Sequence, residues 1–199
     1  MSDPVGDAVA ALRRGGLIVL PTDTVHGIAA RPDDPDATAR LFAAKARPRD
    51  LELPVLVADL ATAERIAEVD DRARVLAARH WPGPLTLVLP RRAASTDWDL
   101  GGDPTTVGVR VPRHPLALAV LALAGPLAVT SANRSGEPTP EDCDAIAAVF
   151  GDTVDVYLCD AGPLGGLPST VLDLAHGAPR VLREGGIAGE DLLALLGSH

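Results

Sequence analysis

The runs LIVL (17–20) and LPVLVAD (53–59) constrain this chain most. Each is continuously apolar over strand length, and a strand without polar alternation is buried on both faces. Helical patterns intermingle with such strands along the whole chain. Val5–Arg14 reads as an amphipathic helix ended by Gly15-Gly16, and a second helix runs from about Asp36 to Ala46 with acidic residues near its start. Residues 61–81 read as one or two helices, stopped by Pro82-Gly83-Pro84. LTLVLPR and TTVGVRVP give two strands around a polar loop containing Gly101-Gly102. There follow a helix (115–123), a strand (126–130), a loop, a helix (141–149), strands near 154–159, 169–174 and 179–183, and a final helix in GEDLLALLG. No linker or repeat interrupts the pattern. The reading is one α/β domain over residues 1–199: a twisted mixed sheet, helices on both faces, functional loops at strand ends.

Composition agrees with a globular chain, 47% hydrophobic and 23% charged, whose core must be built from Ala, Val and Leu because aromatics are only 3%. The longest apolar stretch, PLALAVLALAGPLAVT, is broken by Gly125-Pro126, so no membrane span is expected. The N-terminus is acidic first and basic later, the reverse of a secretory signal. Cys143 and Cys159 form neither a CxxC nor a metal pattern; no disulfide framework is expected, and a reducing cytoplasm is the expected compartment. A net charge of −9 argues against a bulk nucleic-acid binder and makes any local cluster of arginines informative.

Four polar segments stand where apolar runs end. LPTDTVHG (20–27) places two threonines and an aspartate after a buried strand; hydroxyls there either hold a small polar ligand or cap a turn. In AAKARPRD (43–50), Lys45 is the only lysine in the chain. It shares a helical stripe with Thr38, Leu41 and Phe42, and Pro48 biases Arg47 away from helical geometry. Together they either present two cations to one anionic ligand, or serve the helix dipole with a lysine that snorkels along an apolar face. VTSANRSGEPTPED (129–142) sets Ser131, Asn133, Ser135, Gly136 and Thr139 before Pro140-Glu141 opens a helix, a pattern suited to phosphate or nucleotide contact or to a capped surface loop. The Walker pattern is absent. The fourth pairs LPSTVLDL (167–174) with PRVLREGG (179–186), where Arg183 is either an edge-strand charge or a ligand contact. His80, His114, His176 and His199 show no metal spacing, and no carboxylate pair stands out as acid and base.

PTDTVHG, KARP, WPGPLTLVL, VGVRVPRHP, TSANRSGEPTP, STVLDL and VLREGG occur in that order over almost the whole chain. On them the sequence closely resembles the YrdC-like family, the L-threonylcarbamoyladenylate synthases of tRNA modification. The resemblance implies a YrdC-like fold with a central concave, positively charged cavity. It implies that L-threonine, bicarbonate and ATP, normally with Mg2+ held by the ATP phosphates and no protein metal site, give L-threonylcarbamoyladenylate and pyrophosphate. It further implies transient contact with the tRNA threonylcarbamoyl transferase complex and tRNA, which carries the group to adenosine 37 of tRNAs reading ANN codons. By position in these motifs, Lys45 and Arg47 are the expected catalytic cations. Arg47, Thr106, Ser131, Asn133, Thr139 and Arg183 are the expected ATP contacts, and Thr24, Arg110, Val129 and Ser169 the expected threonine contacts. His26 stands where the family often has Tyr, and Leu53 and Ala58 stand where some members have Asn and His. The chain ends at His199 and so resembles the short subtype. The resemblance leaves two rivals, a carbamoyl-adenylate-forming enzyme that uses carbamoyl phosphate and a non-catalytic double-stranded RNA or tRNA-binding module.

Overall fold

Along the strand Ile18–Leu20, Val19 packs into one apolar cluster while Ile18 and Leu20 pack into another on the opposite face of the sheet. That alternation, repeated in neighbouring strands, is how a continuous apolar run serves two cores. The computed structural model describes residues 3–140, 142–159 and 164–197. In chain order the helices are α1 (Pro4–Arg13), α2 (Pro35–Lys45), α3 (Leu60–Ile66), α4 (Asp71–His80), α5 (Pro115–Ala124), α6 (Cys143–Phe150) and α7 (Gly189–Gly197). The strands are β1 (Ile18–Leu20), β2 (Gly27–Ala30), β3 (Val55–Leu56), β4 (Leu85–Pro90), β5 (Thr106–Arg110), β6 (Leu127–Ser131), β7 (Val156–Tyr157), β8 (Thr170–Asp173) and β9 (Arg180–Arg183). They form one mixed sheet in the order β7-β1-β2-β6-β3-β5-β4-β8-β9.

Two helices, α1 and α5, cover one face of the β1–β2–β6–β3 half through Ala8, Leu12, Ala117, Val120 and Leu121. The opposite face carries the larger core, to which α2, α3, α4, α6 and α7 contribute Leu41, Ile66, Leu76, Ile146 and Leu192. Five of the 27 acidic residues serve to start these helices. Asp3, Asp34, Asp59, Asp70 and Asp142 each accept a backbone N–H in the first turn of α1, α2, α3, α4 and α6.

The helical region expected over 61–81 is two helices, because Asp70 caps a new one and Ala67 bridges to Arg91. The expected buried strand at 53–59 shrinks to a two-residue ladder, Val55 on Val109 and Leu56 on Arg110. One strand escapes the apolar pattern: β2, Gly-Ile-Ala-Ala, lies inside a segment that reads as loop. All but Ile28 are small, poor strand formers, and pairing on both sides with β1 and β6 overrides that preference. Gly27 is required there, since a Cβ would stand 2.5 Å from Val129 Cγ1.

The cysteines overturn an expectation. Cys143 and Cys159 form a disulfide, their Cα atoms 5.9 Å apart. The first turn of α6 returns to the end of β7, a juxtaposition made by the fold and invisible in the spacing. Among the described residues no helix is long and apolar enough to cross a membrane. Glu141 and His199, named in the sequence reading, lie outside the described residues.

The turn after β9 must run close to β8: a Cβ on Gly185 would meet Pro168 O at 2.3 Å and the Ser169 carbonyl carbon at 2.5 Å. Gly185→Ala should therefore cost about 1–3 kcal/mol by overpacking, read as a lower midpoint in urea denaturation with an unchanged slope.

Candidate functional site

The helices α1 and α5 stop short of β4, β5 and β8. On the face they leave bare, register places Thr86, Gly108 and Arg110 together, with Leu56 opposite Arg110. Over this floor opens a cavity of about 770 Å3, the size of a site that encloses a small ligand. Its walls come from the β1–β2 loop (Thr22–Gly27), Arg47 beyond α2, the β6 end and following loop (Val129–Pro140), residues 164–169 and Arg183.

Lys45 is 1% exposed and is not part of the cavity lining. Its ammonium donates to Ser131 O at 2.6 Å and Asn133 O at 2.5 Å, with Asn133 Oδ1 at 3.5 Å. Ser135 N–H returns a bond to Lys45 O at 2.9 Å. Burial, helped by the nearby Arg47 charge, lowers the ammonium pKa to about 8, so about nine-tenths of it stays charged at pH 7. The lysine thus stands behind the wall and holds its backbone in place. Asn133 extends the tie, donating from Nδ2 to Arg134 O and Glu137 O, both at 2.7 Å, while its Oδ1 accepts from Thr139 Oγ1.

Arg47 reaches the cavity by a different device from the one expected. The chain leaves the helix one residue earlier, at Ala46, which is left-handed at φ 49° and ψ 40°. Ala46 N–H bonds Ala43 O and Arg47 N–H bonds Phe42 O, a Schellman end built on a residue other than glycine. The guanidinium is then pinned, Nε on Leu51 O and Nη2 on Glu52 O.

Arg110 donates from Nε to Gly83 O, from Nη1 to Thr24 Oγ1 at 3.0 Å, and from Nη2 to Asp23 Oδ1 at 2.7 Å. Arg183 donates to Ser169 O from Nε and Nη2 and to Ser169 Oγ from Nη2. Ser169 Oγ lies 2.8 Å from Thr86 Oγ1. Burial lowers the pKa of all three arginines, and the Arg183 charge lowers those of Arg47 and Arg110 further. The cavity therefore concentrates positive charge that an anion would relieve.

Thr24 presents a defined polarity. Thr22 Oγ1 donates to Val25 O at 2.6 Å, so in the 2.9 Å pair between the two hydroxyls Thr24 must be the donor. Its oxygen takes one bond from Arg110 and keeps one lone pair for a ligand.

The fold thus gathers Thr24, Arg47, Arg110, Val129, Ser131, Asn133, Thr139, Ser169 and Arg183 around one space. It does not bring Thr106 there. That residue starts β5, four residues from Arg110 and so roughly 13 Å away along the strand, with its carbonyl accepting from Arg91. Leu53 is packed in the large core, whereas His26 lines the cavity. Sequence reasoning missed Asp23, Thr86 and Glu137. Asp23 stood inside the quoted PTDTVHG, and its ionic partner became visible only when β5 was placed beside that loop. Among the described residues no cluster of His, Cys, Asp and Glu could hold a metal ion.

Two predictions follow from this geometry. Lys45→Met leaves the buried Asn133 carbonyl without its ammonium donor, and Ser131 O with the Asn133 N–H alone, and should cost about 1–3 kcal/mol of stability, while raising the KM of any ligand bound by the 129–140 wall. Equilibrium unfolding and steady-state kinetics read the two effects. Glu52, whose carbonyl pins Arg47, has a carboxyl pushed up to about 7, mainly by burial. Its folded pKa lies above the unfolded one, so the folded state binds the extra proton and stability falls as pH rises from about 4.5 to 7. Glu52→Gln should flatten that part of the stability profile.

A family model named for Sua5, YciO and YrdC, and described as telomere recombination, matches residues 10–185. A putative threonylcarbamoyl-AMP synthase of Mycobacterium tuberculosis is 45% identical over 192 residues, 96% of this chain and 88% of its own. Pyrococcus abyssi Sua5, solved with L-threonine, superposes with a TM-score of 0.87 at 36% identity, covering 97% of this chain and 57% of that one. Escherichia coli YciO superposes with a TM-score of 0.86 at 30% identity, covering 95% of this chain and 92% of its own.

Proposed function

Because the chain belongs to the Sua5/YciO/YrdC family, we infer that its cavity makes threonylcarbamoyl-AMP and pyrophosphate from L-threonine, bicarbonate and ATP. The observation that carries this is the convergence of Arg47, Arg110 and Arg183 on one enclosed space in a protein of net charge −9. The reaction joins two anions. Threonine's amine adds to carbon dioxide derived from bicarbonate, forming a carbamate and releasing a proton. A carbamate oxygen then attacks the α-phosphorus of ATP, and the bond to the β-phosphate oxygen breaks as pyrophosphate leaves. Repulsion between carbamate and polyphosphate is the main obstacle, and fixed cations lower it without reorganising.

The geometry supports a division of labour. Arg110, half-neutralised by Asp23, takes the threonine carboxylate on its two remaining N–H groups, while the Thr24 lone pair orients the amine. Arg47 and Arg183, with Ser131 and Thr139, take the ATP phosphates. Lys45 acts through Ser131 and Asn133, whose backbone it holds. The donor set suits Mg2+ only as a companion of phosphate: Glu137 and the hydroxyls of Ser131 and Thr139 lie on the same wall, a mix that magnesium accepts beside phosphate oxygens and water. Bound there, it would offset charge on the departing pyrophosphate. Holding three substrates in contact supplies much of the remaining acceleration. The product is an activated donor, passed to a transferase that modifies adenosine 37 of tRNA, which puts the protein in the cytoplasm.

Pyrophosphate release should require threonine, bicarbonate and ATP together; release that continues without threonine contradicts this reading. Arg183→Ala should raise the KM for ATP about tenfold or more, whereas Arg110→Lys, which keeps a cation beside Asp23, should act mainly on threonine.

A further inference from the structure

We propose that the hydroxyl pair of Thr86 and Ser169, on the cavity floor, is the seat of the third substrate, holding bicarbonate first and the carbamate made from it afterwards. The identity of that substrate rests on the reading above; the seat itself rests on the geometry of the pair.

Threonine and ATP have residues in that reading, and bicarbonate has none. Its carbon must come to lie between the threonine amine and the α-phosphate, hence between Arg110 and Arg183. The fold puts the pair there. Leu87 pairs with Val109, and both side chains enter the large core. Thr86, one residue back, and Arg110, one residue on, therefore share the opposite face, which is the cavity floor. On the other side, Ser169 precedes β8, the parallel neighbour of β4, and Arg183 donates to Ser169 Oγ from Nη2 at 3.1 Å. The two hydroxyl oxygens are 2.8 Å apart, on residues only 4% and 5% exposed.

Counting protons gives the pair its chemistry. Each hydroxyl has one proton and two lone pairs. One proton is used between the two oxygens, and Arg183 fills one lone pair of Ser169. If Thr86 donates, Ser169 keeps its proton and Thr86 keeps two lone pairs. If Ser169 donates, Thr86 keeps its proton and Ser169 keeps one lone pair. Either way, one oxygen offers a donor and its neighbour an acceptor. Among the described residues no acceptor takes the leftover proton, and a buried donor left unmatched is costly.

Bicarbonate is the complement of such a pair, a hydroxyl beside a charged oxygen. In the net step, amine and bicarbonate give carbamate and water, and the carbamate presents an N–H beside a charged oxygen. The pattern is the same before and after, and the pair can reverse its polarity to follow it. A plain carboxylate, with two acceptors, matches only half of the pair, which separates this seat from the carboxylate site at Arg110. Arg183 supplies the charge that an anion needs. Ser169, a threonine contact by motif, keeps that role, because the carbamate is borne on threonine's own nitrogen.

Thr86→Val keeps the volume and removes the hydroxyl. With threonine and ATP saturating, it should lower kcat/KM for bicarbonate about tenfold, while the KM for threonine and for ATP stays within about twofold. Thr86→Ser, which keeps the hydroxyl, should recover the wild-type value to within about twofold. Thr86→Ala serves in place of the valine variant should that one not fold. An unchanged bicarbonate dependence overturns the proposal. So does an ATP KM that rises as far as the bicarbonate KM, since a tie that merely holds Ser169 and Arg183 would act through ATP. A second readout needs no turnover: the line width of 13C-labelled bicarbonate with threonine and α,β-methylene-ATP, whose α–β bridge does not break. The wild type should broaden this line and Thr86→Val should not. Broadening that is lost on substitution, in a protein that releases no pyrophosphate, upholds the seat and sinks the reaction reading. Equal line widths with both proteins overturn the seat, whatever the enzyme makes.

Discussion

The seating of one ammonium group governs this site. Lys45 Nζ lies between the carbonyls of Ser131 and Asn133, and this joins the last turn of α2 to the loop that leaves β6. A carbonyl pair this close around one atom suits a compact point charge; a planar guanidinium would need a wider slot and partners for five N–H groups. With Lys45 fixed, Ala46 turns left-handed and Arg47 is delivered to the cavity, where two backbone carbonyls pin it. From the other side of the same tie, Asn133 orders Arg134, Glu137 and Thr139. Two walls of the cavity thus depend on one buried cation.

The second organising fact is where the charges are. The protein is strongly acidic, yet five of its aspartates are occupied at helix N-termini and one, Asp23, is bound to Arg110. Among the described residues, three guanidiniums share the cavity with one lining carboxylate, Glu137. Burial, and after it the Arg183 charge, lowers the pKa values of Arg47 and Arg110, as expected of cations gathered in a site ready for polyphosphate. Each arginine is held by backbone carbonyls or hydroxyls, so the cations stay in place without a ligand.

How much of this was legible in the sequence depended on the range of the interaction. Buried strands and capped helices follow from local pattern, so β1, β4, β5, α1 and α5 appear in the sequence nearly as they stand in the fold. The strand β2 does not, because its partners, not its residues, make it a strand. The motifs located the cavity loops, since loops at strand ends are where ligand contacts gather. They could not give direction. Lys45 and Arg47 are two residues apart, yet the first points into the protein and the second into the cavity. Thr106 and Arg110 share a strand, and only one end of it reaches the site. The links from Asp23 to Arg110 and from Cys143 to Cys159 join segments that no local spacing relates.

Lys45 is the only lysine in the chain, so labelling lysine side chains with 13C and 15N gives a single resonance to follow. Titrating it tests the central claim, that a buried ammonium braces the site from behind. The account predicts a midpoint near 8, in keeping with its burial, and slow exchange of the ammonium protons at neutral pH. A midpoint at about 10.4, the ordinary value for a solvated lysine, with fast exchange would place the side chain in water and contradict the account.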